Sequence, residues 1–401
     1  VINLEDQLRD AMKATTSGVH APPGLASAAR SGARLTRRHR RLALVAAAAV
    51  VAVAVPTGVM LSHDGKTQVV SAAPAGSPGL AALPPVDTAR AGRFYATVGG
   101  YVTAGPTKLV DAPAVIHDAT TGRTVASVAL PSSVGFWSAA AGTAVPGLFY
   151  LAATPAKHDG GLIYRLRVSD SGTVTELARV TTIPEVTFIY RILAASPDGT
   201  QLAFKADEGE PLETRTERPP TVVKVVDVRT GAQKRFAAAG NLDIDGGLSW
   251  DATGRYLGLG LTDIDTQVGY LYVLDTATPG GLLDRSSRVP GSPAASASQP
   301  LTGVTLSPDR RSFYFTRSGQ DVDIIYVTDV ATGNTRPLIS VPVPRPANMY
   351  TDVLRINRTG SQLLLMEAAP DFYRVDIAGL SATHLSYSGE STGNGPLDMA
   401  W

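Results

Sequence analysis

A short run of aromatic and aliphatic residues recurs six times in this sequence, at Phe94-Tyr95-Ala96-Thr97, Phe149-Tyr150-Leu151-Ala152, Leu202-Ala203-Phe204, Leu257-Gly258-Leu259, Phe313-Tyr314-Phe315 and Leu363-Leu364-Leu365. Successive runs begin 55, 53, 55, 56 and 50 residues apart. A period of this length restricts a chain to architectures in which one supersecondary unit stacks on copies of itself. Tight turns precede four of the runs: Ser196-Pro197-Asp198-Gly199, Asp251-Ala252-Thr253-Gly254, Ser307-Pro308-Asp309-Arg310 and Asn357-Arg358-Thr359-Gly360. Ser, Asp or Asn at the first position accepts a local hydrogen bond, Pro presets φ, and Gly ends the turn without a Cβ clash. A second marker follows the runs, at Asp118-Ala119-Thr120-Thr121-Gly122, Asp227-Val228-Arg229-Thr230-Gly231, Asp275-Thr276-Ala277-Thr278-Pro279-Gly280 and Asp329-Val330-Ala331-Thr332-Gly333, with weaker copies at residues 168–172 and 375–379. Apolar strand residues before each Asp, as in Val222-Val223-Lys224-Val225-Val226, predict a third strand entering a turn and a fourth leaving it. Four strands per repeat, six times over, specify an all-β, six-bladed β-propeller of four-stranded blades at residues 89–401. A sandwich of irregular hairpins has no reason to keep one period.

These turns and their spacing resemble the TolB-like and WD40-like propellers of bacterial envelopes, whose blades carry the same Ser-Pro-Asp-Gly turn between their first two strands. The resemblance covers most of the chain and implies a fold rather than a function. The sequence ends in Leu397-Asp398-Met399-Ala400-Trp401, which reads as a first strand like Leu248-Ser249-Trp250 before Asp251, with no second strand after it. The expectation is that it pairs with the amino-terminal blade at residues 93–97, closing the ring and removing two open sheet edges.

Residues 42–62 follow a different rule. Between Leu42 and Leu61 no residue is charged, and twenty residues at a helical rise cover the roughly 30 Å of a hydrocarbon core. Arg34, Arg37, Arg38, Arg40 and Arg41 precede the span, so the positive-inside bias puts the amino end in the cytoplasm and the body outside the membrane. Residues 1–41 carry eight Lys/Arg and three Asp/Glu, a net +5; the whole chain is +1, which leaves −4 for the rest. An export signal cleaved near Ala52 is the rival reading of the same segment. In the tail, Leu4, Leu8 and Met12 share one face of a short amphipathic helix, a candidate partner site, while the basic residues meet lipid headgroups. Residues 63–88, with Pro74, Pro78, Pro84 and Pro85 among Ala, Gly and Ser, read as a linker.

The candidate site follows from the ring. Turns between strands one and two and between three and four share one face, and the long loops at residues 99–112, 206–220, 262–268, 317–323 and 367–371 occupy the other. Four successive blades place acids there: Asp207 with Glu208, Glu210 and Glu213; Asp263 and Asp265; Asp321 and Asp323; Glu367 and Asp371. Solvated loop charge is the simpler reading; convergence would make a Ca²⁺ site or a receiver for a cationic peptide. No other cofactor is expected.

Signals for catalysis fail in turn. Gly389-Glu390-Ser391-Thr392-Gly393 has the nucleophile-elbow pattern but not its strand-to-helix context. Gly65-Lys66-Thr67 lacks the spacing of a phosphate-binding loop. With no Cys, thiolate zinc sites and thiol nucleophiles are excluded, and His117, His158 and His384 lack a zinc-hydrolase spacing. The basic run at Arg37 to Arg41 has no interleaved aromatics, so no nucleic-acid partner is expected. The leading expectation is a single-pass membrane protein whose extracytoplasmic propeller is a non-enzymatic binding or scaffold module for an envelope protein or peptide, taken on the long-loop face. Two alternatives stay open. One is a transmembrane regulator whose cytoplasmic helix docks a partner such as a sigma factor; its layout resembles membrane-anchored anti-sigma factors, without the His and Cys residues of their zinc-binding type. The other is a channel-metal hydrolase or lactonase, for which no residue set here calls.

Overall fold

The computed structural model describes residues 68–70, 92–99, 101–102, 108–109, 112–155, 160–183, 192–207, 220–238, 241–292, 301–318, 322–342, 353–366, 371–386 and 398–401. The tail with Leu4, Leu8 and Met12, the span at 42–62 and most of the linker lie outside them. Every described residue belongs to the unit Ser62–Trp401. Among the described residues the structure is all-β, and no helix is long and apolar enough to cross a membrane.

Six sheets form the blades of a propeller ring, each with four antiparallel strands. Blade 1 orders Asp398–Ala400, Phe94–Val98, Ala114–Asp118 and Thr124–Val128 from the axis outward. Blade 2 runs from Val134–Gly142 to Val174–Ile183, blade 3 from Leu193–Ala195 to Gln233–Ala237, and blade 4 from Leu242–Trp250 to Ser286–Arg288. Blade 5 runs from Thr302–Leu306 to Thr335–Pro342, and blade 6 from Val353–Ile356 to Ser381–Ser386. Two outer edges gain a parallel strand: Gly280–Gly281 beside Gln233–Ala237, and Gln68–Val70, from the stretch read as linker, beside Thr124–Val128.

Six apolar cores lie between neighbouring blades. Alternation splits each strand between two of them. Phe94, Ala96 and Val98 face blade 2, whereas Tyr95 faces blade 6. Because both faces are covered, the middle strands read as near-continuous apolar runs, as in Thr221–Asp227, where six successive residues are buried. Each buried Leu, Val or Phe contributes about 1.5–3 kcal/mol. The outermost strands touch solvent and carry more polar residues, as in Ser381–Ser386, which suits a sheet edge.

The recurrent turns act as the sequence suggests. The Ser196 hydroxyl donates to Asp198 at 2.6 Å and accepts the Gln201 N–H at 2.9 Å, while the Gly199 N–H closes on the Ser196 carbonyl. Blade 5 repeats this with Ser307, Asp309 and Ser312. The Asp of the second marker caps its own turn: Asp227 accepts the N–H groups of Arg229 and Thr230, and the Gly231 N–H closes on the Asp227 carbonyl. The Thr230 N–H and hydroxyl hold the Asp227 carboxyl below its usual range. One turn breaks the rule. Where three blades place Gly199, Gly254 and Gly360 at positive φ, blade 5 places Arg310 at φ 61°, a conformation that costs a residue with a Cβ on the order of 1 kcal/mol.

The seam between blades 6 and 1 holds His117, which is fully buried. Its ring stacks on Tyr95 at 4.7 Å between centroids and faces Phe372 at 6.3 Å. Nδ1–H donates to the Gly122 carbonyl at 3.3 Å, which leaves Nε2 to accept the Thr97 hydroxyl at 3.0 Å. Burial pushes the imidazole down to about 4, opposed in part by the Gly122 carbonyl. A folded-state value below the unfolded one means that the unfolded chain binds the proton more tightly, so this contribution is complete above about pH 6.5 and is lost as pH falls toward 4. The loss is on the order of 3 kcal/mol. Urea midpoints from pH 7 to 4 should fall accordingly, and H117Q should flatten that window. Asp227, Asp275 and Asp329, held below the usual carboxylate range, act only at lower pH.

Candidate functional site

The first strands of neighbouring blades lie side by side around the axis. Two of them bend through glycine. Gly246 in blade 4 (φ 78°) and Gly303 in blade 5 (φ 55°) sit at bulges where the pairing register shifts. A Cβ on Gly246 would stand 2.7 Å from Val304, and one on Gly303 2.8 Å from Leu354, so these bulges bring inner strands of adjacent blades together.

At the short-turn end the inner strands leave a cavity of about 100 Å³ with a wall from every blade, including Trp401, Thr143, Pro197, Trp250, Pro308 and Arg358. Its size admits a side chain or a chain end rather than a drug-sized molecule, for which several hundred Å³ is usual. The indole N–H of Trp401 donates to the Gly92 carbonyl at 3.1 Å, and Arg358 reaches from blade 6 to the Ala144 carbonyl of blade 2 at 2.9 Å. The Ala144 N–H in turn donates to the Pro197 carbonyl of blade 3, and the Ala252 N–H of blade 4 to the Pro308 carbonyl of blade 5. The turns that mark the repeat therefore also stitch the rim of the cavity.

One ion pair floors it. Arg355, on the inner strand of blade 6, donates from Nη2 to Asp398 Oδ1 at 2.8 Å and from Nε to the Met399 carbonyl at 3.1 Å. Asp398 has no solvent exposure, and the Arg355 side chain has 12%. The Asp398 carboxylate also accepts the N–H groups of Ala140 in blade 2, at 3.1 Å, and of Met399, at 2.8 Å. Nη1 of Arg355 would stand 3.2 Å from a Cβ on Gly247 of blade 4, which places the guanidinium across the axis. Asp398 thus joins blades 6, 1 and 2. With the Met399 and Leu354 carbonyls, the carboxylate and two N–H groups taken up, the pair plugs the axis. Sequence reasoning missed it, although a signal exists: the corresponding inner-strand positions hold Ala194, Ser249, Thr305 and Ala400, and only blade 6 has a long cation there.

Of the acids expected at the opposite end, the structure describes Asp207, Asp263, Asp265, Asp323 and Asp371. Asp263 accepts the N–H groups of Asp265 and Thr266 and caps its own turn; the Thr266 N–H is the main reason its carboxyl lies below the usual range. Asp265 accepts Asn241 Nδ2 at 2.8 Å. Asp323, expected in a loop, is fully buried in a strand between Ser318 and Val341, in phase with Ile325 and Val327. Strand alternation carries it inward. Asp207 ends the strand Gln201–Asp207. Asp321, with Glu208, Glu210, Glu213 and Glu367, lies outside the described residues. No group of three or more His, Asp or Glu among the described residues is placed to hold a metal ion.

No protein-family model matches the sequence, and no curated protein does. Solved structures do resemble the fold. TolB from Acinetobacter baumannii superposes with a TM-score of 0.51 at 16% identity, over 77% of this chain and 66% of that one, so the chain spans just under two thirds of its length. A protein described as TolB from Agrobacterium tumefaciens gives 0.44 at 15% identity, over 74% and 90%. An oligogalacturonate lyase in complex with manganese gives 0.44 at 15%, over 72% and 73%. At such identities the likeness concerns the fold alone: this is a TolB-like six-bladed propeller.

Removing the charge of Asp398 while keeping its shape leaves the Arg355 guanidinium in a nearly dry site. D398N should therefore lower stability by about 3 kcal/mol, read from the urea midpoint at constant slope, and D398N/R355M should recover most of that loss.

Proposed function

We propose that this chain is a membrane-anchored binding module, without an enzymatic role, that presents its propeller outside the cytoplasm and takes a side chain or chain end of an envelope protein or peptide at the axial cavity. The observation that carries the reading is the cavity itself, walled by all six blades and floored by a buried ion pair whose donors and acceptors are satisfied. Such a site offers rigid carbonyl, hydroxyl, Arg358 and Trp401 surfaces, features that suit recognition. A tethered propeller outside the membrane is supported by the uncharged run at residues 42–61 and the arginines before it. The cavity opens on the short-turn face, so we place the partner there rather than on the acidic long-loop face.

Part of the same proposal is that the strand Asp398–Ala400 seals the ring on which this cavity depends. Its register puts Ala400 opposite Ala96, Met399 opposite Thr97 and Asp398 opposite Val98. Met399 enters the core shared with blade 6, and Ala400 the core shared with blade 2. Deleting residues 397–401 should cost a large share of the roughly 5–15 kcal/mol that holds a domain together; an unchanged thermal transition would rule the seal out. For binding, a photo-crosslinking residue at Ala252, on the cavity rim, should capture a specific envelope protein in intact cells, and the same residue at Ala378, on the outer edge of blade 6, should not. Equal labelling from both positions would reject the site.

A further inference from the structure

Away from the axis, on the same face, a cleft of about 370 Å³ opens between blades 4 and 5, lined by Tyr256, Asp275, Arg285, Arg310 and Val330 among others. Its chemistry is set by Arg310. This residue occupies the turn position that three other blades give to glycine, at φ 61°, and a strained backbone at one copy of a repeat points to a task for the side chain there. The Arg310 guanidinium lies 3.9 Å from the centroid of the Tyr256 ring. Arg255 lies over the same ring at 5.1 Å, but its charge is spent on a bidentate pair with Asp275, at 3.1 and 2.7 Å. Among the described residues, neither Arg310 nor Arg285 makes a side-chain hydrogen bond or an ion pair, and both are exposed. Two acids nearby are engaged: Asp275 by Arg255, the Ala277 N–H and the charge of Arg285, and Asp309 by the Ser307 hydroxyl and the Arg311 N–H.

We propose that this cleft is an oxyanion site, in which Arg310, held flat on Tyr256, and Arg285 receive a phosphate group. A guanidinium fixed by stacking keeps its fork of N–H donors aligned at little entropic cost, and a second guanidinium in the same cleft suits a phosphate group better than a single carboxylate. The site is separate from the axial cavity and does not depend on the binding function proposed there. A free phosphomonoester and a phospholipid headgroup share this chemistry, and the experiment distinguishes them.

The full chain is titrated by calorimetry with inorganic phosphate and, separately, with short-chain phosphatidylglycerol below its micelle concentration. R310G restores the residue of the other turns and should weaken phosphate binding by roughly tenfold or more, with a denaturation midpoint that does not fall. R310K keeps the charge without the fork and should lose most of the affinity as well. Tighter binding of inorganic phosphate than of the lipid assigns the site to a soluble phosphomonoester, and the reverse order to a headgroup. Equal phosphate affinity in wild type and R310G overturns the proposal. So does a wild type that binds neither probe while R310G loses stability, because Arg310 would then serve only to hold blades 4 and 5 together.

Discussion

A four-stranded sheet that is apolar on both faces has nowhere to bury them except against two neighbours, and every blade here is such a sheet. Tyr95 and Phe94, adjacent in sequence, enter different cores, and so do Met399 and Ala400. The unit of stability is therefore the seam between blades rather than the blade. Three of the seams carry side-chain links beside their apolar cores: the Tyr150 hydroxyl donates to the Gly199 carbonyl, Tyr373 to Pro342, and the indole of Trp250 to Ala194. His117 is the point in this system where protonation works directly against packing.

Within so regular a frame, the places where one copy differs from the others carry the chemistry. Five inner strands approach the axis with small residues or a terminal tryptophan, and the sixth sends Arg355 across it to a carboxylate with no solvent contact. Three first turns end in glycine, and the fourth holds Arg310 against Tyr256. Both departures place a guanidinium where the repeat would place nothing, the first satisfied inside the protein and the second open to solvent.

The strands and turns were legible because their causes are local. Ser-Pro-Asp-Gly fixes a turn through its own hydroxyl and carboxylate, and the Asp227 turn is capped by groups within four residues. The acids at Asp263, Asp265 and Asp323 were harder to read, since a carboxylate written in a loop-like stretch says nothing about its neighbours in space. Asp263 and Asp265 turn out to serve their own loop, and Asp323 is drawn into blade 5 by the two-residue alternation of its strand. The cavity at the axis was not legible at all, because its walls are single residues separated by whole repeats.

The sequence by itself determined the number of blades, the strands in each and the chemistry of the connecting turns, all of which follow from a repeated pattern of burial and short-range hydrogen bonding. Tertiary structure alone decided which copies meet. The pairing of Arg355 with Asp398, 43 residues away, and of Asp398 with Ala140, 258 residues away, depends on the curvature that brings blade 6 beside blade 1 and blade 1 beside blade 2. No local rule encodes that curvature. The close approach of inner strands at Gly246, between blades 4 and 5, and at Gly303, between blades 5 and 6, is likewise a steric fact that exists only once the blades are packed.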